Sequence, residues 1–165
     1  TTGELRECLL FMAAGARSTD LKDLDAVLNW HPTLVRHVSE YLAALGETEP
    51  QSVADFLTSR MATGLDSDLE LAWLLDAAVR RSPIAEAMPE ALITISQAVS
   101  IPLARTTATR ALAATGQLTS ERWDNVLTSS SPAMRAELLL AREADPQFYP
   151  NGPKMLSLDD GWPPE

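Results

Sequence analysis

The chain has one cysteine, Cys8, and two histidines, His31 and His37, in 165 residues. One cysteine excludes an intrachain disulfide. The histidines lie six positions apart on different sides of a helix boundary, so they do not share a helix face as an i, i+4 metal pair does. His31 reads as a cap-position residue before Pro32, and His37 as a solvated or edge histidine. No metal and no cofactor is expected. The seven glycines are scattered, mostly at the ends of helical patterns, which leaves no glycine-rich phosphate loop. Tyr and Phe are scarce while Ala and Leu dominate, a balance that favours helices over strands. No apolar run approaches the roughly 20 residues of a membrane span, and no signal peptide is visible. A cytoplasmic location is the expectation.

Basic residues are also short, with 13 Lys and Arg against 23 Asp and Glu, a net charge of -10. Such a surface repels phosphate backbones and anionic lipid, so nucleic acid and membrane are disfavoured as partners. The acids do not form a calcium loop. Asp66-Ser67-Asp68 opens like one, but the positions that require glycine and glutamate hold Leu71 and Ala77. No serine sits in a nucleophile-elbow context and no cysteine–histidine pair is suggested by spacing. No catalytic residue is assigned, and an enzymatic role is not expected.

What the chain does have is periodic punctuation. Pro32 and Pro50 lie 51 and 52 residues before Pro83 and Pro102; Pro132 and Pro150 lie 49 and 48 after them. Gly15, Gly64 and Gly116 are spaced by 49 and 52. A period near 50 marked by two prolines and one glycine indicates a repeat array. Proline favours the first turn of a helix, and glycine supplies the left-handed stop after one. These marks divide residues 1–145 into a partial unit over 3–15 and units over 18–64, 66–116 and 118–145. Residues 146–165 form an extended tail, since Asn151-Gly152-Pro153 and Gly161-Trp162-Pro163-Pro164 cannot be helical.

Within the units, apolar residues recur at helical spacing. Leu34, Val35, Val38, Leu42 and Leu45 make one stripe, and Leu69, Ala72, Trp73, Leu75 and Val79 another. Thr48 with Gln51 and Ser67 with Glu70 match the capping-box pattern. Pro89 interrupts the second helix of the middle unit, where a kink or break is expected. No charged residue occurs from Ala91 to Ile101, which marks Leu92–Val99 as the middle of the core.

A short helix followed by two longer antiparallel helices, stacked in tandem, resembles the armadillo/HEAT class of α-solenoid. The resemblance covers roughly residues 3–145 and rests on spacing and punctuation. It implies an all-α, right-handed solenoid of about three three-helix units; a compact orthogonal helical bundle is the alternative. It also implies that the last helix of each unit lines a concave surface.

Three features suit binding. Arg60, Arg105 and Arg110 lie on such last helices, and no acid occurs between Glu90 and Glu121. They either form a ladder for an acidic peptide or pair with neighbouring acids. Trp30 sits at a helix end and is the tryptophan expected to be exposed, whereas Trp73 and Trp123 fall on apolar stripes. The acidic, aromatic stretch Leu156–Trp162, with Trp162 as its anchor, either docks elsewhere or folds back over the last repeat. The expectation is a non-enzymatic scaffold or protein-interaction module, a fragment or accessory domain of a larger protein. Its partner would be a protein, a peptide or other domains of the same chain. The alternative is an accessory nucleic-acid-contacting domain that uses the arginine face.

Overall fold

Six prolines stand within the first two residues of a helical segment: Pro32, Pro50, Pro83, Pro89, Pro102 and Pro132. Each lacks only an amide that a first turn leaves unused. The computed structural model describes residues 3–4, 21–62, 67–98 and 100–144. Between residues 21 and 144 the described chain forms nine α-helices and one 3-10 turn, with no strand. These are α1 (Leu21–Trp30), the 3-10 turn Pro32–Leu34, α2 (Val35–Leu45), α3 (Pro50–Ala62), α4 (Asp68–Arg80), α5 (Ser82–Glu86), α6 (Pro89–Ser96), α7 (Pro102–Ala114), α8 (Ser120–Thr128) and α9 (Pro132–Ala144). The protein is all-α among the described residues. The stops at Gly15 and Gly64, most of the expected helix over 3–15, and the tail with Trp162 lie outside them.

The centre of the core is α4, not the charge-free stretch after Pro89. It packs most extensively against α7 on one side and α2 on the other, burying Leu71, Leu74, Leu75, Ala77 and Ala78. Facing it, α7 buries Ala104, Ala108 and Ala111 at i, i+4, i+7, a strip of small side chains that lets the two backbones approach. From α2 come Val38, Tyr41, Leu42 and Leu45, each fully buried. Each such leucine contributes about 1.5–3 kcal/mol on leaving water. Pro89 breaks the chain between α5 and α6 as its ring geometry requires. Of α6, Leu92, Ile95 and Ser96 are buried while Ala91 and Ile93 are half-buried and Thr94 is exposed. The charge-free stretch after Glu90 therefore belongs to a short helix at the edge of the core, lying against α7.

Of Thr48, Ser67 and Thr119, two cap a helix start with their side chain. Ser67 caps α4, its hydroxyl accepting the Glu70 amide at 3.3 Å, and Thr119 caps α8 in the same way. Thr48 does not form the expected box. Its hydroxyl donates back to the Leu45 carbonyl, and Gln51 donates to Asp55 at 2.8 Å. The cause is Pro50, which sets the start of α3 two residues beyond Thr48. Gly116 adopts a positive φ of 68° after α7. Its amide donates to Ala113 O at 3.1 Å and that of Gln117 to Leu112 O at 2.9 Å, the paired bonds of a Schellman stop.

Candidate partner-binding groove

The three arginines expected to share one face have three different surroundings. Arg60, at the end of α3, directs one terminal nitrogen to Asp25 and Asn29, each at 2.7 Å, and the other to Glu70 at 3.0 Å. It fastens α3 to both α1 and α4. Burial pulls this guanidinium down, but its bonds and proximity to Asp25 and Glu70 outweigh that, leaving it raised above its ordinary value. The pairing with neighbouring acids is therefore what the structure contains at Arg60.

Arg105 points inward. Only 1% of it is exposed, and it donates to the carbonyls of Val126 and Ser129 and to the Ser129 hydroxyl. These oxygens lie at the C-terminal end of α8, where carbonyls lack helical partners and carry the negative end of the helix dipole. Burial lowers the Arg105 guanidinium from its ordinary value, with no carboxylate to offset it. The expectation that Arg105 lines a binding surface is thus corrected: it closes the end of a neighbouring helix. Arg105 lies on the buried face of α7 with Ala104, Ala108 and Thr109, whereas the resemblance implied that it lines a concave surface.

Arg110 is exposed, and it stands at a groove of about 320 Å3. The α4 wall is Leu69, Ala72, Trp73 and Asp76; the α7 wall is Leu103, Thr106, Thr107 and Arg110; Glu137 reaches in from α9. Leu69 is 56% exposed and Leu103 51%. Leu69 was expected inside, on the apolar stripe of α4. That helix is apolar on more than one face because two helices cover it, and the groove is what remains between them. The signal that could have revealed the groove was this excess of apolar residues beyond a single stripe.

The groove is poor in free donors. Thr106 donates to Pro102 O and Thr107 to Leu103 O, both at 3.0 Å, so each hydroxyl proton is committed to its own helix. Asp76 is engaged by Arg80 at 2.6 Å. The Trp73 ring is half-buried, with the Arg36 guanidinium over it at 5.5 Å. The floor is thus hydrocarbon and aromatic, with Arg110 on the α7 wall and Glu137 opposite.

Trp30 is 82% exposed at the end of α1, as expected, but it does not line this groove. Trp123 is buried, with Arg142 stacked at 5.9 Å. His31 stands at the cap position before the 3-10 turn without a side-chain capping bond. His37 takes the edge position of the two expected: it is half-buried, with Nδ1 buried 3.9 Å from a Glu40 oxygen. Among the described residues, no group of three or more His, Cys, Asp or Glu side chains is placed to hold a metal ion. Nor is any described helix long and apolar enough to cross a membrane. Comparison with family models, curated proteins and solved structures finds no match to this chain.

Proposed function

We propose that the chain is a non-enzymatic helical-repeat module, an armadillo/HEAT-like solenoid, that binds another protein or peptide or positions other domains of a parent chain. The groove carries the proposal: Leu69 and Leu103, each more than half exposed, flank the half-buried Trp73. Single exposed leucines are ordinary, but two facing across a concave surface whose hydroxyls are committed form an apolar site suited to cover by a partner. Its volume is near the lower end of the about 300–1,000 Å3 typical of ligand pockets, which suits a few anchoring side chains. The favoured ligand is a short segment with aliphatic or aromatic anchors. The repeat interpretation draws support from the matched helix openings at Pro50 and Pro102 and at Pro32, Pro83 and Pro132.

Selection from a displayed random-peptide library, followed by amide chemical-shift mapping, tests this. Enriched peptides should shift Leu69, Trp73, Leu103 and Arg110, and Leu103→Asp should abolish their binding. Peptides that bind Leu103→Asp as well as the parent chain, or none that reaches these residues, would overturn the proposal.

A further inference from the structure

We infer that the groove between α3 and the Pro89 corner binds a cationic segment of a partner protein, one with arginine or lysine beside small apolar anchors. It is a second surface, sharing no lining residue with the Leu69/Trp73/Leu103 groove. Three observations lead to it.

The first is shape. Helix α5 packs against α3, but beyond Pro89 the chain turns and α6 packs against α7 instead. The two walls therefore part, leaving a groove of about 510 Å3. Ala62 on one side and Ala87, Met88, Pro89 and Ala91 on the other make its apolar part. Three alanines let a partner backbone come close, and the buried Met88 thioether gives a floor that adapts to what lies on it.

The second is charge. Asp55 on α3 and Glu90 on α6 stand on opposite walls, and both are exposed. Asp55 accepts a bond from the Gln51 amide at 2.8 Å, a neutral donor that leaves the carboxylate charge in place. The bases nearby in the fold are occupied or turned elsewhere. Lys22 lines a different groove, towards α1, which shares Asp55 on its α3 side. Arg60 is held by Asp25, Asn29 and Glu70, and Arg81, ahead of α5, is joined to Glu47. Residues 82–104 contain no Lys or Arg, whereas Glu86 and Glu90 are exposed. A cationic segment thus meets a carboxylate on each wall and no competing base from α5 or α6.

The third is the backbone. Ser59 and Ala62 bring the last turn of α3, the negative end of its dipole, to the groove. The positive end of α6 also lies here, and Glu90 in its first turn offsets it. The net charge of -10 adds a long-range pull on a cationic partner.

The test titrates the full 15N-labelled chain with a short blocked peptide of arginine, alanine and leucine, and with a twin carrying citrulline for arginine. The arginine peptide should shift the amides of Asp55, Ala62, Glu90 and Ala91 and bind several-fold more tightly than its twin. Asp55→Asn and Glu90→Gln, isosteric changes at exposed positions, should each weaken it about two- to fivefold, as expected for one exposed ion pair. Ala62→Arg, which brings a cation into the groove, should abolish the shifts at Glu90 and Ala91. Added sodium chloride should weaken the arginine peptide and leave the twin unchanged. Twins that bind equally, or peptides that leave these amides unmoved, would overturn the inference. So would an equal loss from Glu121→Gln with Asp124→Asn, at exposed positions of α8, because the attraction would then be to general acidity. If the arginine peptide shifts Leu69 and Leu103 instead, this inference fails and the apolar groove stands.

Discussion

Asp68 and Leu103 lie 35 positions apart, and the carboxylate of the first accepts the backbone N–H of the second at 2.9 Å. The other Asp68 oxygen accepts the Ala104 amide at 2.8 Å. Asp68 opens α4, yet it caps α7, whose own cap position is Ile101 and provides no side-chain bond. A carboxylate on two orphan amides at a helix N-terminus combines capping with the dipole interaction. The same contact sets the edge of the groove, because Leu103 itself and Leu69, the residue after Asp68, both line it.

Asp68→Ala should therefore cost about 1 kcal/mol, which for a chain of this size is roughly 2–4 °C in Tm. It should also weaken peptides selected on the groove, because the α7 start is no longer held to α4. Asp68→Asn keeps an acceptor and should recover part of both losses. Urea denaturation measures the first effect and a peptide titration the second. An unchanged midpoint for Asp68→Ala would remove this cap from the account.

Arg105 makes a different prediction, since it is a buried cation with neutral partners. Arg105→Ala leaves a void and strips a donor from the Ser129 carbonyl, and should cost about 3 kcal/mol. Arg105→Met fills most of the space without a buried charge and should cost less, about 1–2 kcal/mol. Val126 O stays satisfied in either case, because the Ser129 and Ser130 hydroxyls also donate to it. Arg105→Lys replaces the planar fork with one ammonium that cannot span both carbonyls, and should be no better than Met. Equilibrium unfolding gives the ranking; Lys restoring full stability would contradict it.

At Arg60 the sign of the shift fixes the pH behaviour. A raised basic group contributes stability at every pH below its ordinary value and loses that contribution only as the pH rises through its folded value. Arg60→Met should thus destabilise equally at neutral and mildly alkaline pH. The loss should be about 2 kcal/mol, because Glu70, whose side chain is 12% exposed, is left without this donor. Urea midpoints at two such pH values check it; a penalty that fades in alkali would be inconsistent with the pairing.

These cases show why parts of the structure were legible in the sequence and parts were not. Pro50, Pro89, Pro102 and Pro132 begin helices because proline constrains its own backbone, and no distant residue is needed to know that. Gly116 is a stop for the same local reason. Arg105 was read as a surface cation because its partners, Val126 and Ser129, follow 21 and 24 positions later and nothing in α7 announces them. Trp30 was placed correctly, since a helix end before a proline has few neighbours. The groove combined both kinds of information. Trp73 and Arg110 were singled out separately, but that they line one site depends on how α4 packs on α7, which spacing alone does not specify.

Gly46 offers a packing test of that long-range order. It ends α2 in ordinary helical conformation, with φ -64°, so it is not there for a left-handed turn. A β-carbon at this position would collide with Ile84 Cδ1 and lie 2.6 Å from Ile84 Cγ1. Ile84, on α5, is fully buried and has little room to swing aside. Gly46→Ala should therefore destabilise by about 1–3 kcal/mol through overpacking, although alanine is the better helix former. Ile84→Ala alone should cost about 2–5 kcal/mol through its cavity. Because the added methyl occupies the space the isoleucine vacates, the double variant should be more stable than the sum of the two losses predicts. Four urea curves complete the cycle. Strict additivity would mean that α2 and α5 do not meet through this pair.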